Sequence, residues 1–161
     1  MRRPRKVGDP GDPADRVRLV PPPSILLVDA DEREREMLRD ALLEGAGTFE
    51  LEAVSGADAL AEHLRAGDHV PNLVVVDLDR DDAQPFVSID RLKRDRRLRR
   101  IPVIALTGVR NPDPALVARA YEAGVNTVLP KPVTFLALVR LVKVVTAYWL
   151  EAAILPREEA A

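Results

Sequence analysis

The stretch SILLVDAD, residues 24–31, decides the fold class of this chain. Residues 25–28 are all apolar, and the run ends abruptly at Asp29. A strand with apolar residues at consecutive positions is typical of the centre of a parallel sheet, where both faces are buried. The stretch therefore predicts a central strand of an α/β sheet with polar residues at its carboxyl end.

The same alternation of strand and helix continues outward from this stretch. Further strands are predicted at 49–54, 73–76, 101–106 and 126–129, and the helices after them at 55–65, 85–95, 112–123 and 133–155. Ser55, with Asp58 three residues later, predicts a capping box at the start of the second helix. Strands that alternate with helices indicate a parallel sheet with helices packed on it, here with the βα unit repeated five times.

Composition limits the classes of protein to which the chain can belong. The 161 residues suffice for one ordinary domain. The net charge of -2 gives no overall field that would attract nucleic acid. Because the chain has no cysteine, disulfides, thiolate metal sites and thiol catalysis are excluded. The 47% apolar and 31% charged residues are typical of a soluble globular protein.

The two ends of the chain differ in composition from the middle. Residues 1–23 hold six of the 14 prolines among charged residues, which predicts a disordered tail. The basic pair near the start is followed by no apolar stretch, so we expect no export signal and a cytoplasmic location. The alternative is a tail that docks a partner through its basic residues. We expect residues 156–161 to form a short C-terminal tail.

The last predicted helix, residues 133–155, is the most apolar long segment. Charged residues at Arg140, Lys143 and Glu151 argue against a membrane span. The apolar positions nevertheless cover more of the helix than one packed face needs. Two interpretations remain open, namely a helix overlain by the rest of the domain and a partner interface. From the second we expect a homodimer formed through residues 133–155.

The run RLKRDRRLRR, residues 91–100, is the most basic segment of the chain. It covers the predicted end of the third helix, where cations interact favourably with the helix dipole. No aromatic residues interleave the run to stack on bases. We therefore expect no nucleic-acid partner.

Polar residues follow the predicted strands at their carboxyl ends. Asp29 and Asp31 follow the first strand, Asp77 the third, Thr107 the fourth and Lys131 the fifth. The carboxyl ends of parallel strands share one edge of a sheet, where sites form. Acids, a hydroxyl and a cation grouped in this way suit a carboxylate that accepts a phosphoryl group. Asp77 is the predicted nucleophile, beside an acid-bound divalent cation.

Four motifs together resemble the receiver domain of two-component response regulators over residues 24–155. They are ILLVDAD at the first strand, LVVVDLD at the third, IPVIALTG at the fourth and VLPKPV at the fifth. The resemblance implies a flavodoxin-like, doubly wound (βα)5 fold with a five-stranded parallel sheet in the strand order 2-1-3-4-5. It also implies a cis peptide bond before Pro132, and a signalling role rather than an enzymatic one.

The resemblance also assigns roles to single residues. Asp77 matches the phosphoacceptor, Asp29 the first acid of the metal-binding pair, Thr107 the family's hydroxyl and Lys131 its lysine. The implied cofactor is Mg²⁺, and the implied partner is a sensor histidine kinase or a phosphotransfer protein. The final stretch YWLEAAILP, residues 148–156, is similar to the end of small regulators associated with bacterial phytochromes, which self-associate through this end.

The chain departs from the family pattern at Ala30, Asp81, Pro85 and Val128. Ala30 stands where a second acid normally binds the metal, which predicts weak or absent Mg²⁺ binding. Asp79 is either a substitute metal ligand or an electrostatic obstacle. Val128 stands where the family's switch residue is usually aromatic. Two functions therefore remain open: a stand-alone receiver phosphorylated on Asp77 with output by protein contact, and a degenerate pseudo-receiver acting as a phosphorylation-independent interaction module.

Overall fold

The computed structural model of the protein describes residues 21–45, 48–67, 69–78, 83–108 and 111–156. Within these ranges five parallel strands form one sheet in the order β2-β1-β3-β4-β5, which confirms the predicted flavodoxin-like topology. The elements are, in chain order, β1 (Ser24–Val28), α1 (Glu32–Glu44), β2 (Glu50–Val54), α2 (Ala57–Ala66), β3 (Leu73–Asp77), α3 (Gln84–Arg94), β4 (Val103–Thr107), α4 (Pro114–Glu122), β5 (Thr127–Pro130), α5 (Phe135–Thr146) and a π-helical segment (Ala147–Ala152).

The central strand β1 shows why helices cover both faces of the sheet. Leu26 and Val28 belong to a core layer that also contains side chains of α2, α3 and α4. Ile25 and Leu27 point the other way, into a layer built with α1 and α5. Successive strand residues face opposite sides, so an unbroken apolar run fills both layers. Full burial of each such side chain contributes about 2 kcal/mol to stability.

The start of α2 differs from the prediction. The helix begins at Ala57, and no side chain caps it, so the predicted capping box is wrong. The Asp58 carboxylate instead accepts a hydrogen bond of 3.1 Å from Arg91 Nη1 on α3, and the same nitrogen donates to the Ala57 carbonyl at 2.8 Å. Ser55 lies two residues before the first helical residue, outside the N-cap position that its hydroxyl would have to occupy.

The last helix is shorter than predicted and changes its geometry. Thr134 caps α5 by accepting from Ala137 N at 3.2 Å, and α5 gives way to the π-helical segment after Thr146. The buried Thr146 hydroxyl donates to the Val142 carbonyl at 2.8 Å, a back-bond that disturbs helices at this point. The helical structure therefore ends at Ala152 rather than at residue 155.

One side of α5 is packed and the other is exposed. Leu138, Val139 and Val142 are buried in the core, whereas Leu136 is 61% and Val144 68% exposed. The interpretation that the rest of the domain overlies the whole helix is therefore wrong. Among the described residues no helix has the length and apolar character that crossing a membrane requires. Residues 1–20 and 157–161 of the two predicted tails lie outside the described ranges.

Candidate functional site

Four of the predicted site residues meet at the carboxyl edge of the sheet. Asp77 and Thr107 are the last residues of β3 and β4, while Asp29 and Lys131 directly follow β1 and β5. All four are at least nine-tenths buried, although they are polar or charged. Polar groups are buried in this way only where they are paired with one another or with a ligand.

Lys131 is the cation at the centre of this group. Its backbone N–H donates to the Thr107 carbonyl at 2.7 Å, which holds the residue beside β4. Its Nζ donates to Asp77 Oδ2 at 2.6 Å and to Glu34 Oε2 at 2.7 Å. The ammonium therefore links the predicted nucleophile to a residue of α1 that the sequence did not single out. No peptide bond within the described ranges is cis, so the cis bond expected before Pro132 is not found, although Lys131 still reaches Asp77.

Asp29 has one satisfied and one unsatisfied carboxylate oxygen. Its Oδ1 accepts from the backbone N–H of Asp31 at 2.8 Å. Its Oδ2 is buried and has no hydrogen-bond partner among the described residues. A buried carboxylate oxygen without a donor costs free energy, and a bound cation removes that cost. Asp29 therefore offers an oxygen that could bind a cation, and its role as a metal ligand stays a prediction.

Glu34 is the site residue that sequence analysis missed. One oxygen from each of Asp29, Glu34 and Asp77 lies within 4.8 Å of the other two, so the three carboxylates could hold one metal ion. Hard divalent cations such as Mg²⁺ take oxygen ligands of this kind. The carboxylates present therefore fit the implied cofactor even though Ala30 contributes none.

The other acids near the site have different positions. Asp31 caps α1, because its Oδ1 accepts from Glu34 N at 3.0 Å, and it is not a member of the cluster formed by Asp29, Glu34 and Asp77. Asp79, predicted as a ligand or an obstacle, lies outside the described residues. Ala30 is exposed and lines a cavity of about 420 Å³ between the start of α1, the start of α2 and the start of α3.

Carboxylates dominate the electrostatics of the site. Burial raises the pKa of Asp77 to about 8; Lys131 lowers this pKa, whereas Glu34 and Asp29 raise it further. Burial also raises the pKa of Asp29. Among the described residues, these three carboxylates lie around one ammonium, so the four groups together carry a net negative charge when all are ionised. A divalent cation carries the charge that would balance the site.

Comparison with known proteins accounts for this arrangement. A family model described as the response regulator receiver domain matches residues 25–143, most of the chain. The chain belongs to the response regulator receiver domain family. Receiver domains are in general signalling modules that interact with histidine kinases or phosphotransfer proteins, and this chain is such a domain in two-component signalling.

Individual relatives of this receiver domain agree with the family model. The probable methanogenesis regulatory protein FilR2 of Methanothrix harundinacea (strain 6Ac) is 33% identical over 133 residues, which cover 80% of this chain and 84% of FilR2. The structure of the phosphorylated cyanobacterial phytochrome response regulator RcpA superposes with a TM-score of 0.74 at 25% identity, covering 85% of this chain and 100% of RcpA. The Mn(2+)-bound form of response regulator Rcp1 superposes with a TM-score of 0.70 at 28% identity, covering 84% of this chain and 100% of that one.

Val128 occupies the position that the sequence predicts to be the switch position. Val128 is partly buried against the core layer under α4, and its backbone N–H donates to the Tyr121 hydroxyl at 3.2 Å. Its small aliphatic side chain offers no ring or hydroxyl that could exchange partners with Thr107. The aromatic residue that accepts this hydrogen bond from β5 is Tyr121, which belongs to α4.

Proposed function

We propose that this receiver domain accepts a phosphoryl group on Asp77 from a phosphohistidine of a sensor histidine kinase or phosphotransfer protein, and that its output is by protein contact. The observation that carries the proposal is the 2.6 Å contact between Lys131 Nζ and Asp77 Oδ2 in a buried cluster of carboxylates. A nucleophilic carboxylate with an adjacent buried cation is suited to receive and then neutralise a phosphoryl group.

The transfer itself needs few groups. An Asp77 carboxylate oxygen attacks phosphorus, the new O–P bond forms, and the P–N bond breaks. The donor imidazole leaves with that electron pair and keeps the proton on its other ring nitrogen. Lys131 and Thr107 then hydrogen-bond the phosphoryl oxygens. Asp29, Asp77 and Asp79 are the residues proposed from the sequence to hold Mg²⁺, which when bound would neutralise charge on those oxygens.

Intact-mass spectrometry of the wild-type chain tests this function. We expect a gain of one phosphoryl group after incubation with a small-molecule phosphodonor and Mg²⁺, because the cation balances the excess carboxylate charge around Asp77. The same incubation with a chelator is the control and should give little or no gain. Absence of the gain at saturating Mg²⁺ would contradict the proposal.

A pseudo-receiver is the second candidate function, and Ala30 is the observation that favours it. Mg²⁺ requires near-ideal octahedral coordination, so the loss of one carboxylate weakens its site. In that case the fold serves as an interaction module without phosphorylation. Recovery of phosphoryl transfer in Ala30→Asp, with none in the wild type, would identify metal binding as the lost property.

We propose further that the chain forms a homodimer through residues 133–155. The support is the exposed apolar side of this segment, where Leu136 is 61%, Val144 68% and Tyr148 57% exposed. Burial of such side chains against a second copy would contribute about 1.5–3 kcal/mol for each one that becomes fully buried.

Replacing two of these residues by glutamate should separate the dimer. We expect the double variant Leu136→Glu/Val144→Glu to sediment as a monomer at concentrations at which the wild type is dimeric, because an interface cannot bury unpaired carboxylates. Val87→Glu is a matched control, since Val87 is also partly exposed but lies on α3. A wild-type chain that sediments as a monomer at high concentration would remove the proposal.

A further inference from the structure

The starting observation is the unusual position of the Glu34 carboxylate. Glu34 is the third residue of α1, and its side chain is 39% exposed, yet its Oε2 lies 2.7 Å from the buried Lys131 Nζ. Side chains of a helix lean toward its N-terminus, so a residue in the first turn of α1 extends toward the loop after β1. That loop carries Asp29 and Ala30. Glu34 and Ala30 therefore line the same cavity at the carboxyl edge of the sheet.

A local hydrogen bond explains why Glu34 is available. Asp31 and Glu34 have the spacing of a capping box, in which the glutamate would accept from the backbone N–H of the first residue. Half of the box forms, since Asp31 Oδ1 accepts from Glu34 N at 3.0 Å. The other half does not, because the Asp31 N–H donates to Asp29 Oδ1 at 2.8 Å. The Asp29 carboxylate thus accepts the Asp31 N–H that Glu34 would accept in a complete capping box. The Glu34 carboxylate contacts Lys131 instead.

A second observation points independently to a cation at this place. Asp29 is 4% exposed, and its Oδ2 has no hydrogen-bond partner among the described residues. This orphan oxygen belongs to the carboxylate that shares the 4.8 Å cluster with Glu34 and Asp77. The cluster is thus not merely acidic, since it includes a buried acceptor that only a donor or a cation can satisfy.

We propose that Glu34 supplies the carboxylate missing at position 30 and coordinates a divalent cation together with Asp29 and Asp77. The inference, which rests on the proposed function of the site, assigns Glu34 two alternative partners. In the structure its carboxylate binds the Lys131 ammonium, and on metal binding it turns to the cation. Lys131 then exchanges its Glu34 contact for the phosphoryl group on Asp77.

Direct measurement of cation binding tests the assignment without any phosphoryl transfer. Mn²⁺ alone is titrated into the full chain, and the free ion is counted by electron paramagnetic resonance. We expect Glu34→Gln to weaken Mn²⁺ binding by at least about tenfold, the lower end of what even outer-shell partners of metal ligands contribute. Glu36→Gln is the matched control, because Glu36 lies on the same helix, carries the same charge and is exposed; it should bind as the wild type does.

Two further variants separate coordination from the mere presence of a negative charge. Glu34→Asp keeps the charge but shortens the side chain by one methylene, so a direct ligand loses affinity whereas a distant charge does not. Ala30→Asp restores the carboxylate at the family's position and should rescue Glu34→Gln, so that the two substitutions are strongly non-additive. Circular dichroism and the unfolding midpoint of each variant exclude loss of fold as the cause of weaker binding.

Each outcome decides the inference. It is overturned if Glu34→Gln or Glu34→Asp binds Mn²⁺ like the wild type, or if the wild type binds none. Its failure is distinct from failure of the proposed function, which the mass measurement reports separately. Phosphoryl gain with Glu34-independent Mn²⁺ binding removes the role of Glu34 alone. Glu34-dependent Mn²⁺ binding without phosphoryl gain removes phosphorylation and leaves the metal site.

Discussion

The substitution Asp77→Asn is expected to abolish phosphoryl incorporation completely. An amide oxygen is a poor nucleophile, and no other acid on the described part of the chain combines burial with a contact to Lys131 Nζ of 2.6 Å. Incubation with the small-molecule phosphodonor and Mg²⁺, followed by intact-mass spectrometry, should show the phosphorylated species in the wild type and none in the variant. Asn has nearly the shape of Asp, so the fold should be retained.

A matched control is Asp90→Asn. Asp90 lies on α3, where it pairs with Arg94 at 2.9 Å on the surface, so its loss should leave phosphoryl incorporation unchanged. Persistent phosphorylation of the Asp77→Asn chain would contradict the assignment of the nucleophile. A different result would favour the pseudo-receiver: Asp77→Asn remains functional in signalling while Trp149→Ala, in the C-terminal segment, is defective.

Removal of the buried ammonium should have the largest effect on stability. We expect Lys131→Met to lower the free energy of unfolding at pH 9 by about 3 kcal/mol, because removing one member of a buried ion pair leaves the other uncompensated. The side chains of Lys131 and Asp77 are only 6% and 4% exposed, so water cannot replace the lost partner. Urea unfolding in the presence of a chelator measures the loss.

The loss should be smaller at pH 6 than at pH 9. Burial raises the pKa of Asp77 to about 8 and Lys131 lowers it, so the Lys131→Met substitution raises this pKa further. When the pKa of an acid is higher in the folded than in the unfolded state, the protein loses stability as the pH rises from the unfolded-state pKa to the folded-state pKa. Because the pKa of Asp77 is higher in the folded variant, the variant goes on losing stability at pH values at which the wild type no longer does. In the variant, protonation of Asp77 relieves the unpaired charge at every pH below its raised pKa, which lies above the wild-type value of about 8.

A double-mutant cycle isolates the contribution of the pair. The double variant Asp77→Asn/Lys131→Met should be more stable at pH 9 than Lys131→Met alone, because it contains no unpaired charge at position 77. Asp77→Asn by itself should cost little, since Lys131 keeps its 2.7 Å contact with Glu34. Equal losses in Lys131→Met and the double variant would show that Asp77 and Lys131 are not energetically coupled.

The sheet was predictable because each strand is indicated by a short apolar run in the sequence. The apolar runs at 25–28 and 73–76 each indicate a strand buried on both faces, and the structure places them side by side as β1 and β3. The gathering of Asp29, Asp77, Thr107 and Lys131 at one edge followed from parallel strands alone. Helix starts were less predictable, as Ser55 and Asp58 show. The same Asp58 that suits a capping box also suits an ion pair, and Arg91, 33 residues away, forms that pair.

Glu34 shows what the sequence by itself did not determine. The spacing of Asp31 and Glu34 has a sufficient local explanation as a capping box, and nothing in that stretch indicates another partner. Its actual partner, Lys131, is 97 residues away. The contact arises because β1 and β5 end at the same edge and because Asp29 already accepts the Asp31 N–H.

The strand and helix pattern, the sheet edge at which the candidate site lies and four residues at that edge were therefore predictable from the sequence. These follow from hydrophobic periodicity and from the shared direction of parallel strands, which are properties of short segments. The contact between Glu34 and Lys131, and the exposure of one apolar side of α5, are evident only in the folded structure. Both features depend on which hydrogen bonds and packing contacts the neighbouring residues already make. Those contacts form only when segments that are distant in the chain come together.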